Sequence, residues 1–276
     1  MSEEGRALPD YENPPVVEVV CSVQFEPLEK LRTPHIGLIW QRYRADYPNF
    51  EEKPEIAHHV ELPEEVAAPK RQFQVQMLQT PPVPRVFFVH RDDTRVIQLQ
   101  QDRFIYNWRK RGPDDDYPRY AAVFGSFLEN WDTFLDIVST EGLGEPAVDQ
   151  YEMTYVNHIW QGEGWNTVGD MARVFPDLSW RPLDTRFLPS PASMSYRTTF
   201  PLPQGKGRLH LAVSTGASPE DQRRLLSMEL TARGFPGSTE KEAMRDWFAL
   251  AHEWIVRGFA DLTSDKIQNS CWRRVR

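Results

Sequence analysis

Residues 239–262, TEKEAMRDWFALAHEWIVRGFADL, decide the class of fold. Trp247, Leu250, Ala251, Trp254, Ile255, Gly258, Phe259 and Leu262 recur at the i, i+3, i+4, i+7, i+8 spacing of a helix with one apolar stripe, while Arg245, Asp246, Glu253 and Arg257 fall on its wet side. An earlier run repeats the spacing. Tyr120, Val123, Phe124, Phe127, Leu128, Trp131 and Leu135 match Trp247, Leu250, Ala251, Trp254, Ile255, Gly258 and Leu262 position for position. The chain therefore reads as two units, each closed by a long helix.

What precedes each helix is similar. Val16 to Phe25 alternates, with Val17, Val19, Cys21, Val23 and Phe25 on one face, so it reads as a strand with one face buried. Ile36, Ile39, Trp40, Tyr43 and Tyr47 then follow helical spacing over 34–47, with Thr33-Pro34 as cap and first turn and Pro48 as the stop. The stretch 50–69 is rich in glutamate and proline and reads as an exposed acidic loop. A meander follows: Phe73, Val75 and Met77, then 85–91 and 95–100 around the turn Asp92-Asp93-Thr94, then Phe104, Tyr106 and Trp108. The second half runs through a strand at 148–160, a short helix near 168–175, strands near 193–200, 208–214 and 225–233, and the quoted helix.

The expected fold is therefore α+β: an internally duplicated unit (strand, short helix, antiparallel strand meander, long helix) dividing at 1–145 and 146–276. The two units form one curved antiparallel sheet, or two packed sheets, with both long helices on one face. The strict alternation of a doubly wound parallel sheet is absent. The element order resembles that of the TATA-binding-protein-like architecture and, more loosely, helix-grip and tandem small-molecule-binding folds, an analogy that carries no function.

With 40 acidic against 32 basic residues, the net charge of −8 disfavours attraction to nucleic acid or anionic membranes. Two cysteines, Cys21 and Cys271, make no disulfide framework, the first residues lack a signal-peptide pattern, and no run approaches the ~20 apolar residues of a membrane span. The expectation is a cytoplasmic protein without a membrane segment.

The runs Asp10-Tyr11-Glu12-Asn13-Pro14-Pro15-Val16-Val17-Glu18-Val19-Val20, Val23-Gln24-Phe25, His35-Ile36-Gly37-Leu38, Tyr155-Val156-Asn157-His158-Ile159 and Ala251-His252-Glu253 resemble those of a sporadically distributed bacterial family of uncharacterised proteins. The resemblance spans nearly the whole chain. It implies a bacterial cytosolic protein and no catalytic residues.

Candidate chemistry is sparse. His58-His59 with Glu61, Glu64 and Glu65 offers metal-ligand types, but adjacent histidines on a proline-bearing loop need a distant third ligand, so no metal is expected. His252-Glu253 begins like HExxH, yet position 256 is Val. Asn157-His158 closes a long strand before Trp160, Gly162, Gly164 and Trp165, where glycines let a ligand approach backbone. Asp114-Asp115-Asp116 suits helix capping, and the basic tail 272–276 reads as a solvated terminus. No nucleotide, zinc-protease or nucleophile-elbow motif occurs, and no cofactor is implied.

Three functions fit. The first is a non-enzymatic binding module for a protein partner or small ligand, with Asn157, His158, Trp160, Trp165 and His252 as the binding residues and homo-oligomers allowed. Strand aromatics in excess of one sheet face (Phe104, Tyr106, Trp108, Tyr151, Tyr155, Trp160) favour it. The second is a hydrolase or transferase with its site at the seam between the halves, using Asn157, His158 and His252. The third, nucleic-acid binding on a saddle-like sheet, is disfavoured by the charge.

Overall fold

Val19, Cys21, Val23 and Phe25 are fully buried on one face of strand β1 (Val16–Phe25), while Val20, Ser22 and Gln24 point to the other. A strand apolar on one side and covered on both belongs in the middle of a sheet. β1 pairs with β5 (Arg103–Arg109) on one side and β6 (Val148–Trp160) on the other, both antiparallel. The computed structural model describes residues 7–61, 83–234, 237–238 and 240–276.

The remaining elements are α1 (Thr33–Tyr43), β2 (Asn49–Lys53), β3 (Arg85–Val89), β4 (Arg95–Gln100), α2 (Arg119–Thr140), α3 (Met171–Val174), β7 (Ser195–Pro201), β8 (Arg208–Ala217), β9 (Arg224–Gly234), α4 (Lys241–Leu262) and α5 (Asp265–Ser270). The strands form one curved antiparallel sheet in the order β2-β3-β4-β5-β1-β6-β9-β8-β7. Read outward from the β1–β6 seam, the order is the same on both sides: β1-β5-β4-β3 and β6-β9-β8-β7, with β2 extra at one edge. The sheet thus runs unbroken across the boundary expected near residue 145.

Both long helices pack on the same face. Phe104 meets Phe127, Trp131 and Phe134 of α2, and Tyr151 meets Trp247 and Phe248 of α4. Phe124 and Phe127 pack at a tilt against Phe248, so the helices also touch each other over the seam. The buried stripe of α4 is Met244, Trp247, Phe248, Ala251, Ile255 and Phe259. It is turned from the expected one: Phe248 lies at its centre, and Trp254 is only half-buried. Phe127, which matches Trp254 in the sequence comparison, is fully buried, so the two helices do not keep the same register of burial.

Four expectations need correction. The stretch 50–69 is not simply a loop: 49–53 is the edge strand β2, and the chain then lies across the sheet face opposite the helices until Glu61 is buried. α1 stops at Tyr43, short of Tyr47, because the next residues tighten into a turn in which Asp46 N and Tyr47 N both donate to Tyr43 O. Five of the six strand aromatics taken as surplus (Phe104, Tyr106, Trp108, Tyr151, Tyr155) are buried on the helix face, so they fill the core. The polar lead-in and the basic tail are docked on each other, as described below. The strand expected around Phe73, Val75 and Met77 lies outside the described residues.

Candidate functional site

The sequence around residue 118 starts α2 in an unusual way. Arg119, its first residue, has φ 71, and neither a side-chain cap nor a first-turn acid serves this helix end. A non-glycine residue in left-handed backbone is held there by its surroundings. The holding contacts are visible: Arg119 Nη1 donates to Asp10 Oδ1 at 2.9 Å and Nη2 to the Tyr11 carbonyl at 2.9 Å. Arg119 thereby clasps the N-terminal segment over the seam.

That segment is tied equally to the C-terminal one. Glu12 N and Asn13 N donate to the carbonyls of Arg273 and Trp272, Val275 N donates to Asp10 O, and Tyr11 pairs with Arg274 as an isolated bridge. The Tyr11 ring packs edge-on against Phe259 and Trp272, and its hydroxyl donates to Gln268 Oε1 at 3.0 Å. Trp272 is buried. Proline-bearing and arginine-rich segments read as loose ends, but here each supplies the other's backbone partners.

Between this roof, the start of α2 and the second half of α4 lies a cleft of ≈ 310 Å³. That is at the small end of the ~300–1,000 Å³ range of small-molecule pockets. Its walls are mostly apolar: Leu8, Pro14, Pro15 and Val16 from the N-terminal run, Ala121 from α2, Leu230 from β9, and Ile255, Val256 and Phe259 from α4. Its polar groups are few. Tyr117 and Tyr155 set their hydroxyls 2.8 Å apart, the His252 ring centroid lies 4.0 Å from that of Tyr120 and meets Tyr155 edge-on at 6.1 Å, and Asn157 lies at one wall.

Burial controls the charge of these groups. Desolvation pulls His252 from 6.5 to about 4, so its imidazole is neutral at pH 7. The same effect pushes the Tyr117, Tyr120 and Tyr155 phenols above their usual range, with the Tyr117–Tyr155 contact a secondary influence. His252 has ring contacts but no hydrogen-bond partner among the described residues. The Asn157 amide is buried and donates to Met228 O at 3.2 Å, which fixes it as part of the wall.

Of the five residues expected to form a site, the structure brings Asn157 and His252 together. Strand alternation sends His158 to the opposite face of the sheet, where its ring packs edge-on with Trp160 and burial lowers its pKa. Trp160 carries the Arg223 guanidinium over its ring at 4.8 Å. Trp165 is buried in the core and donates Nε1–H to Ile159 O at 3.2 Å. Gly162 and Gly164 take φ 98 and 78 because the chain turns tightly there: Gly162 N donates to Trp165 O and Glu163 N to Trp160 O. These glycines serve a turn rather than an approaching ligand. Tyr117, Arg119, Tyr120 and the 10–15 run are the site residues not anticipated; the sequence signals that touched them were Tyr120 at the head of the α2 stripe and the family resemblance carried by the opening run.

The face opposite the helices is polar and carries a hydrogen-bond network, although Arg85 Nε, Arg103 Nε and Glu61 Oε2 are buried there without a partner. Glu18 accepts from Asn107 Nδ2, whose Oδ1 accepts from Gln98; Glu152 pairs with Arg233; Thr154 and Thr231 share a hydrogen bond. The segment 54–61 is strapped onto it, Ile56 exchanging two 2.8 Å bonds with the Gln100 side chain and Glu61 N donating to Gln150 Oε1. His58 sits between Asp102 and Asp149, at 2.8 and 3.1 Å, whereas Glu61 faces His210 and Arg208. The residues considered as metal ligands therefore diverge. Glu64 and Glu65 lie outside the described residues, and among the described residues no group of three or more His, Cys, Asp or Glu is placed to hold a metal ion. Asp115 caps its own turn, accepting from Arg111 N and Gly112 N, rather than capping α2.

No described helix is long and apolar enough to cross a membrane. The sequence matches no protein-family model and no curated protein.

Proposed function

We propose that the protein is a binding module holding a small molecule in the seam cleft between the start of α2 and the second half of α4. The observation that carries this reading is the cleft itself: ≈ 310 Å³, walled by apolar side chains, with a few convergent polar groups. A further feature supports it: the strained Arg119 spends its guanidinium on closing the roof. On this reading the run 10–20, which carries the resemblance to the uncharacterised bacterial family, forms the roof of the cleft and leads into its floor. A cytoplasmic location fits the same proposal.

The alternatives lose support. Asn157, His158 and His252 do not share one face of the sheet, which removes the constellation suggested for a hydrolase or transferase. Five of the six strand aromatics that favoured a binding module for a protein partner or small ligand are in the core, so they offer no surface to a protein partner. The basic tail that favoured nucleic acid is committed to Glu12 and Gln268.

Native mass spectrometry of protein purified from its own host tests the reading. A bound small molecule is expected in the wild type and absent from Val256→Trp and Ala121→Trp, which fill the cleft from either helix. A bare wild-type chain that also shows no thermal shift with any apolar small molecule would sink the proposal.

A further inference from the structure

The cleft reading says that something small binds, and the chemistry of the walls says what kind. This inference rests on that reading. Taken around the cleft, the residues able to carry charge are Tyr11, Tyr117, Tyr120, Tyr155 and His252 inside and Asp10, Arg119 and Arg276 at the rim. The rim charges are already committed: Arg119 Nη1 and Arg276 Nη2 both address Asp10, at 2.9 and 3.5 Å, and Arg119 Nη2 is taken by the Tyr11 carbonyl. A ligand carboxylate or phosphate entering there would have to displace Asp10 from its arginines, and a ligand ammonium would find Asp10 already engaged.

The interior repels both signs. It holds every phenol and the imidazole in the uncharged form, so it desolvates an anion and a cation alike without a counter-charge. It does retain unused hydrogen-bond capacity: the His252 ring and the Tyr120 hydroxyl make no hydrogen bond among the described residues, and the Tyr117–Tyr155 pair has a proton to spare. In the Tyr117–Tyr155 pair one hydroxyl proton lies between the two oxygens, and the other has no partner among the described residues. A buried O–H of this kind gains by donating to an acceptor oxygen brought in by a ligand.

The geometry points to an uncharged, largely apolar ligand with a carbonyl or hydroxyl oxygen that accepts the free proton of the Tyr117–Tyr155 hydroxyl pair.

Two dyes of similar size test this on the whole chain: prodan, an uncharged naphthyl ketone, and anilinonaphthalene sulfonate, an anion. The expected result is saturable, blue-shifted prodan emission that Val256→Trp abolishes, with sulfonate emission at least about 10-fold weaker in affinity. The double variant Tyr117→Phe/Tyr155→Phe keeps both ring shapes and removes both hydroxyls. It should weaken prodan about 5-fold, the worth of one neutral hydrogen bond, while displacement by naphthalene, which has no acceptor, stays unchanged. Unaltered melting of the double variant shows that it is folded. Sulfonate binding as tight as prodan and equally sensitive to Val256→Trp overturns the inference and leaves the cleft reading standing. Unchanged prodan affinity in the double variant overturns the role of the hydroxyl pair. No Val256→Trp-sensitive binding of any of the three probes overturns the cleft reading itself.

Discussion

The first turns of the two long helices lie against the same sheet seam and end differently. At the start of α4 the space beneath the helix is filled: Trp247 packs on Tyr151 and Phe248, donates Nε1–H to the Lys206 carbonyl at 3.0 Å, and closes so tightly on Gly234 that a methyl group there would lie 2.1 Å from the indole nitrogen. Lys241 adds an ion pair to Asp132 of α2. At the start of α2 the corresponding large side chain is Tyr120, which leans on His252 and leaves the cleft beside it open. One framework thus carries a sealed end and an open end. Packing density is the default in a core, so the open end is where a requirement other than stability shows.

Predictions that break this comparison begin at the sealed end. Trp247→Ala should cost about 3–5 kcal/mol, by cavity formation and the loss of the indole bond to Lys206, read as a shift in denaturant midpoint. Gly234→Ala should cost about 3 kcal/mol by overpacking, because both the indole and the Lys206 carbonyl stand within 2.2 Å of the new methyl group. If either variant retains wild-type stability, the sealed end is not sealed.

The open end responds instead to pH. Burial holds His252 at about 4 in the native state against 6.5 for the exposed residue, so the unfolded chain takes up a proton between those values that the native chain refuses. The stability contributed by this group is intact above pH 6.5, falls as pH drops toward about 4, and is level below that. A shift of this size is on the order of 2–3 kcal/mol after allowing for a ring that is not wholly enclosed. Denaturant midpoints of wild type and His252→Leu, compared at pH 7 and at about pH 4.5, should show the variant gaining relative stability in acid. A constant difference would place His252 in water. At pH 7 the same substitution should change stability by less than about 1 kcal/mol, since the ring makes no hydrogen bond among the described residues.

The open and sealed ends also show where sequence reading succeeds. Strand periodicity placed β6 at its observed limits, Val148 to Trp160, and helical periodicity found α2 and α4, because each element buries one face and the side-chain period records it. The order of elements was enough for an antiparallel α+β sheet. Phe248 escaped because the stripe was phased on Trp254, whose burial depends on what lies opposite and not on its own neighbours in sequence. The site was less legible still. Asn157 and His252 are 95 positions apart and meet only through the packing of α4 on β6, while Tyr117, Arg119 and the 10–15 run sit in segments with no periodicity to read. Adjacency in sequence does not bring His158 to Asn157, because adjacent strand residues point to opposite faces.

The pairing of the two end segments has a consequence for how a molecule would enter and leave. Backbone bonds between 10–13 and 272–276 hold the roof, and none belongs to the nine-stranded ladder. The roof can therefore fray while the core stays intact, at a free energy well below that of global unfolding. Amide hydrogen exchange at Glu12, Asn13 and Val275 then reports that local opening, and a bound ligand slows exchange there while leaving the protection of β1 and β6 as it was.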